Sequence, residues 1–218
     1  MSQVNVRRDS VMKQKIPGGL LVVVEGVDGS GKSSVLKRLA AYCSTLPVEV
    51  VQGREPTDSP FGKRLRESAL SGRFSMEEEL DLFIADRRQH VAEVIVPALG
   101  RGALILLDRY YFSTAAYQGA RGADPVAVLA LNEAFAPEPD LVLLLDCPPV
   151  QTLARIRARG GGVDAFEKLE ELETVQRIFL SIKRPFFRKV DASVSEENVG
   201  AQCVALLQEA FQHKLPSR

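Results

Sequence analysis

Tryptophan is absent from this 218-residue chain, histidine occurs only as His90 and His213, and the net charge is zero, with 28 Lys and Arg against 28 Asp and Glu. Two isolated histidines argue against a histidine-centred mechanism. A balanced charge argues against a general nucleic-acid or membrane-surface binder, which carries a basic excess. Cysteine is scarce. Cys43, Cys147 and Cys203 are an odd number, far apart, with no CxxC pair. They read as reduced thiols in a cytoplasmic protein without a zinc site. No apolar run approaches a membrane span. Met1–Ile16 is polar and charged and lacks the apolar segment of a secretory signal, so residues 1–18 read as a disordered tail.

What is present begins at Leu20–Ser34, LLVVVEGVDGSGKSS. A short aliphatic run reads as a buried strand, and the helical pattern Val35-Leu36-Lys37-Arg38-Leu39 follows the glycines. Between them Gly26-x4-Gly31-Lys32-Ser33 has the phosphate-loop spacing G-x-x-x-x-G-K-[ST]. Glycines allow several N–H groups to converge on one phosphate, and a helix N-terminus adds a positive dipole end. Lys32 is placed to reach the β- and γ-phosphates of a nucleoside triphosphate, and the Ser33 hydroxyl to hold Mg2+. The whole segment Gly26, Val27, Asp28, Gly29, Ser30, Gly31, Lys32, Ser33, Ser34 is thus the expected ATP-binding loop.

The rest alternates strand and helix. Strands are expected at Val48–Gln52, Ala103–Leu107, Leu141–Cys147 and Phe187–Val190, with helices between them, so the fold class is α/β, a three-layer α/β/α arrangement around a five-stranded, mostly parallel sheet. Ser75-x-x-Glu78 is a capping box opening the longest helix, expected to run to about Leu99. One domain is expected over 19–213. Gly160-Gly161-Gly162 marks a mobile flap at about 155–167 rather than a linker, because too little chain follows for a second core.

Ligands of such sheets bind at the carboxyl ends of the strands. Here those ends carry Arg54-Glu55-Pro56, Asp108-Arg109, Asp146 and Asp191. Asp108 is placed to position Mg2+, and Arg109 to neutralise a phosphoryl oxygen. On the long helix Leu80, Ile84, Arg87, Val91, Val94, Ile95 and Ala98 fall at three- and four-residue steps, so Arg87 lies inside an apolar stripe, one turn after Phe83. A guanidinium there needs a partner. Either a structural salt bridge or a bound phosphate supplies it. Thr114, Tyr117 and Gln118 follow Asp108-Arg109 closely enough to share its cavity. Arg155 and Arg159 share a helix face beside the triglycine, either as a solvated helix end or as charges that close over the transferred group.

Taken together, Gly26-Val27-Asp28-Gly29-Ser30-Gly31-Lys32-Ser33, Arg54-Glu55-Pro56, Phe83-Ile84-Ala85-Asp86-Arg87, Asp108-Arg109-Tyr110, Ser113-Thr114-Ala115-Ala116-Tyr117-Gln118-Gly119 and Arg155-Ile156-Arg157-Ala158-Arg159-Gly160 give a chain that resembles the thymidylate kinases from about Gly19 onward. The resemblance implies the P-loop NTPase fold and transfer of a phosphoryl group from ATP to dTMP, giving dTDP for dTTP synthesis. It implies that Asp28 contacts the acceptor sugar and that Phe83 stacks on thymine. Arg54, Arg87 and Arg109 hold the acceptor phosphate, Thr114 and Gln118 face the base, and Tyr117 crowds the sugar 2′ position. It further implies Mg2+, a homodimer packed through the long helix, and, because Gly29 follows Asp28, a catalytic arginine supplied by the flap from Arg155, Arg157 or Arg159. The chain departs from the family at Thr57-Asp58-Ser59, where Gly-Gly is frequent, and at Ala165, where Arg is frequent.

Two other readings use the same residues. A deoxynucleoside kinase would use Glu55 as base on a 5′-hydroxyl. A nucleotide switch or assembly ATPase would need no acceptor cavity at all. Three arginines on the rim favour an acceptor that already bears a phosphate, since uniting two anions calls for positive groups rather than a base.

Overall fold

The computed structural model describes residues 13–72, 74–158 and 165–215, by main chain alone at 69–71 and 165–168. Five strands, β1 (Leu20–Glu25), β2 (Val50–Arg54), β3 (Leu104–Asp108), β4 (Leu141–Asp146) and β5 (Phe187–Asp191), pair in the order β2-β3-β1-β4-β5, every pair parallel. The helices are α1 (Lys32–Cys43), α2 (Pro60–Ser71), α3 (Met76–His90), α4 (Val96–Gly100), α5 (Tyr111–Ala120), α6 (Pro125–Glu133), α7 (Pro149–Ala158), α8 (Ala165–Ser181) and α9 (Glu196–Lys214). Among the described residues no helix is long and apolar enough to cross a membrane.

The sheet is covered on both faces, which is why its central strands are apolar throughout rather than alternating. The pleat sorts their side chains. Leu21, Val23, Ile105, Leu107, Val142 and Leu144 pack with Phe112 of α5 and Leu172, Val175 and Phe179 of α8. Leu20, Val22, Val24, Leu104, Leu106, Leu143 and Leu145 pack with Val35 and Leu39 of α1 and Cys203, Leu207 and Phe211 of α9. Because β1 lies between β3 and β4, its carboxyl end opens onto both flanks of the sheet. That is the topological position for ligands in open α/β folds.

The sequence reading changes in four places. β2 begins and ends two residues later than expected, and Val48 instead forms an isolated bridge with Gln14. The expected tail contains a built segment. Ile16 is buried in the α1–α9 core and its N–H donates to the Gly102 carbonyl at 2.9 Å; residues 1–12 lie outside the described part. Ile16 stands between Lys15 and Pro17, with no periodicity to announce it. The long helix is not continuous. Between α3 and α4, residues Val91–Ile95 form a π turn in which the Val96 N–H reaches back to the Val91 carbonyl. Pro97, which has no N–H to donate, stands immediately after. The inward face of α3 also differs from the expected stripe. Ile84 is only half-buried, while Leu82, Asp86, Arg87 and His90 are buried.

Candidate active site

The phosphate loop sits where the pattern places it, between β1 and α1. Lys32 is buried at the first position of α1, and its Nζ donates to the carbonyls of Gly26 at 2.9 Å and Val27 at 3.0 Å. An ammonium has three protons, so one remains for a phosphate. Burial, with help from the Arg109 charge, pulls this ammonium down to about 8. Gly29 adopts φ +82°, and a Cβ there would lie 2.6 Å from the Thr152 carbonyl of α7. The loop and α7 are therefore in backbone contact, and residue 29 has no room for a side chain.

Across the sheet, β3 ends in Asp108 and the chain turns at Arg109, whose φ of +67° is in the left-handed region. The turn is held by the Arg109 N–H to the Val24 carbonyl at 3.0 Å and by Glu25. Glu25, fully buried, accepts from the Tyr110 N–H at 2.8 Å and the Ser113 N–H at 3.2 Å with Oε1, and from the Ser113 hydroxyl at 2.5 Å with Oε2. The Arg109 guanidinium then spans the gap to the loop. It donates to Asp28 Oδ1 at 2.5 Å and to Ser113 Oγ at 2.9 Å, and lies over the Tyr117 ring at 5.2 Å. Tyr117 Oη in turn accepts the Asp28 N–H at 3.1 Å.

Two buried polar atoms lack a hydrogen-bond partner among the described residues, Ser30 Oγ and Asp108 Oδ1. A bare carboxylate oxygen at this strand end, with the Ser33 hydroxyl exposed on the first turn of α1, has the donor chemistry of a hard divalent cation site.

Burial pushes the Glu25 carboxyl from 4.5 up to about 7, against the opposing Arg109 charge and its own hydrogen bonds. The native state therefore holds this proton more tightly than the unfolded chain. The stabilisation is complete below the unfolded value and is lost as pH rises through about 7. Relative to Glu25→Gln, which does not titrate, the wild type should lose about 3 kcal/mol between roughly pH 4 and 8. Urea denaturation of both proteins across that range measures it. Parallel pH curves would refute the buried-carboxyl assignment.

A cavity of about 200 Å3 opens between the loop, α3 and α5. Asp28, Phe83, Arg87, Arg109, Thr114, Tyr117 and Gln118, all read from sequence as acceptor-site residues, line it. Arg54 does not. Its side chain, on the last residue of the edge strand β2, is 61 % exposed and donates to Asp58 at 2.8 Å. Thr57, the departure from the family pattern, is locked to α3. Asp86 accepts its N–H at 2.8 Å and its hydroxyl at 2.5 Å, and takes the Ser59 hydroxyl at 2.6 Å.

Arg87 is 1 % exposed and has found protein partners. Nε donates to Glu55 at 2.7 Å, Nη1 to Asn132 at 2.6 Å and Nη2 to Thr114 at 3.0 Å. Glu55 also meets His90 Nδ1 at 2.9 Å. Of the two partners the sequence leaves open for Arg87, the structure supplies the salt bridge. It is salt-bridged, and it still faces the cavity. Glu55 also lines the cavity, but its carboxylate is held by Arg87 and His90 and is poorly suited to deprotonate a substrate hydroxyl. Gln118 is oriented at both ends, its Nε2 donating to Glu79 at 3.1 Å and its Oε1 accepting from Arg121 at 3.3 Å. Arg121 closes the set through an ion pair with Glu79.

On the other flank a cleft of about 110 Å3 lies between Ser30, Gly31 and Ser34 of the loop and Ala192, Val194 and Val199 at the β5–α9 junction. Arg155 borders it from within α7. Its Nη2 donates to the Ala192 carbonyl at 3.2 Å and its Nη1 approaches Cys147 Sγ at 3.4 Å. Arg155 is therefore fixed on α7 beside the cleft, on a helix as the sequence places it. Arg159 and the triglycine lie outside the described residues. A larger cavity of about 410 Å3, lined by Phe179, Lys183 and Phe187 among others, sits near the amino end of β5, away from the strand ends that carry the loop.

Sequence reasoning missed Glu25, Asn132 and the 192–199 segment. For Glu25 the signal was present, a lone carboxylate closing an apolar run directly before Gly26. Asn132 and Ala192 carry no pattern. A family model described as Thymidylate kinase matches residues 24–203. The thymidylate kinase of Xylella fastidiosa (strain M23) is 46 % identical over 202 residues, covering 93 % of each chain. Those of Xanthomonas campestris pv. campestris (strain B100) and Xanthomonas euvesicatoria pv. vesicatoria (strain 85-10) are 46 % identical over 199 residues, covering 91 % of this chain and 87 % and 88 % of theirs.

Proposed function

Because this chain belongs to the thymidylate kinase family, we propose that it transfers the γ-phosphoryl group of ATP to dTMP, giving dTDP. The observation that supports this most directly is the cavity built from Phe83, Arg87, Arg109 and Tyr117, which meets the phosphate loop at Asp28. A nucleotide switch has no use for such a cavity, and the commitment of the Glu55 carboxylate to Arg87 and His90 disfavours a nucleoside kinase that needs it as base.

In this reading ATP lies along Gly26–Ser34 with its base in the cleft at Val194 and Val199, beside Arg155. Arg109 carries the acceptor phosphate toward the loop, and Lys32 meets the donor phosphates at the junction. Catalysis is then mostly alignment and charge neutralisation, because an acceptor phosphate is already a nucleophile. Mg2+ would be held by Ser33 and Asp108, and when bound it neutralises charge on the donor phosphates. Arg87, balanced by Glu55, offers its remaining N–H groups rather than net charge. They suit a neutral carbonyl of the base, with Phe83 stacked on the ring and Gln118 and Thr114 on its edge. Phosphate contact passes chiefly to Arg109, with Arg54 recruited only if it leaves Asp58. Arg159 supplies flap charge when the donor is bound. We further propose a cytoplasmic homodimer that binds no nucleic acid. Leu131 and Val126 on α6 and Val96 on α4 leave apolar side chains exposed, and sedimentation at micromolar concentration tests the assembly.

The deciding experiment is a panel of dTMP, dUMP, ribosyl-TMP and thymidine with ATP and Mg2+, products resolved by chromatography. dTMP should be the fastest acceptor and thymidine inert, with the ribonucleotide slow because of Tyr117. Phosphorylation of thymidine without dTMP would overturn the proposal.

A further inference from the structure

Glu25 lines neither cleft, yet it sits between them, and among the described residues its side chain spends every hydrogen bond on the turn that carries Arg109. We infer that Glu25 is a positioning residue for Arg109, acting through the Ser113 hydroxyl. This rests on the acceptor-site reading above.

Tyr110 stands at the cap position of α5, and its side chain makes no capping bond. First-turn N–H groups need an acceptor, and Glu25 Oε1 provides it from the neighbouring strand, taking the Tyr110 and Ser113 N–H groups. Capping needs no more than that oxygen. Oε2 does something else. In the carboxylate form, which prevails above about pH 7, it takes the single proton of the Ser113 hydroxyl at 2.5 Å. The lone pairs of Ser113 Oγ are left to receive Arg109 Nη1 at 2.9 Å. Among the described residues Ser113 Oγ bonds only Glu25 and Arg109. The other arm of the same guanidinium holds Asp28 at 2.5 Å. The fork is therefore gripped on both prongs, Nη2 by Asp28 of the loop and Nη1 by Glu25 through Ser113, with a longer contact of 3.4 Å from Nη1 to the Gly26 carbonyl. The Arg109 backbone needs such support, since φ +67° is unfavourable for a residue with a Cβ. Glu25 immediately precedes Gly26, so one carboxylate ties the donor loop to the acceptor arginine.

The amide introduced by Glu25→Gln keeps the cap through its oxygen but donates to Ser113 Oγ instead of accepting from it. The serine proton is then released to compete at the position Arg109 occupies. Ser113→Ala keeps both backbone caps and removes only the link. The test is a double-mutant cycle of Glu25→Gln and Ser113→Ala, each with and without Arg109→Ala. The dissociation constant of dTMP is read by calorimetry and kcat/KM by initial rates, both at about pH 8, above the Glu25 value. Each single change should weaken dTMP about tenfold, shift the KM for ATP less than twofold, and leave the Ser113→Ala melting temperature within a few degrees of wild type. In the Arg109→Ala background neither should cost more than about twofold further. Full-sized costs retained without Arg109, or Ser113→Ala indistinguishable from wild type, would overturn the inference. If Glu25→Gln does not fold, the Ser113→Ala half of the cycle decides alone. If Arg109→Ala itself binds dTMP like wild type, the acceptor-site reading fails, and the inference with it. A weakened Arg109→Ala without coupling fails the inference only.

Discussion

Lys32→Ala is expected to lower kcat by about a thousandfold, the cost of losing a preorganised charge at the reacting phosphates, while the KM for dTMP changes by no more than a few-fold. Lys32 is placed for this by the loop–helix junction, with its stem buried beside β1 and its ammonium on the Gly26 and Val27 carbonyls. Those contacts orient the group but leave a proton for the donor. The acceptor cavity is lined by other residues, which is why the loss should fall on turnover. Steady-state kinetics over both substrates measures it, and near-normal turnover would remove the phosphate-loop assignment.

For Arg87→Ala the larger effect should be on stability. Truncation leaves Glu55 buried with only His90 beside it and strips Asn132 and Thr114 of their donor. Removing one partner of a buried ion pair costs about 3–5 kcal/mol, which for a chain of this size lowers the melting temperature by roughly 10 °C. The KM for dTMP should rise strongly and that for ATP little. Arg87→Lys should rescue neither, because a point charge cannot serve three partners set in a planar fork. Arg87→Ala combined with Glu55→Ala should recover much of the stability, since no charge is left stranded, but none of the dTMP affinity. Differential scanning calorimetry and acceptor titrations separate the two readouts. A stable Arg87→Ala with normal acceptor binding would contradict both the buried pair and the site.

Local features are the legible ones. Gly26–Ser33 announces itself because a phosphate cradle is built from consecutive residues. The central strands are equally plain, because burial on both faces demands unbroken apolar runs. Residues that work across long sequence separations are harder. Arg87 stands out as an expensive buried charge, but its partners lie 32 and 45 residues away at Glu55 and Asn132, and no periodicity links them. Arg54 reads as a site residue because it ends a strand. The strand pattern says nothing of Asp58, four residues on, which holds the Arg54 side chain in an exposed pair. The donor-base cleft is backbone and small apolar side chains, so Ala192 and Val194 leave no chemical signature to read.

The bonds Lys32 makes to its own loop bear on how the site empties. The ammonium has two acceptors within the loop itself. A departing diphosphate therefore does not strand a bare cation in a dry interior, which would be the costly alternative. Binding adds a third acceptor to an ammonium that already has two, so release of spent nucleotide meets no electrostatic trap. A catalytic cation with a resting place of its own favours cycling over holding.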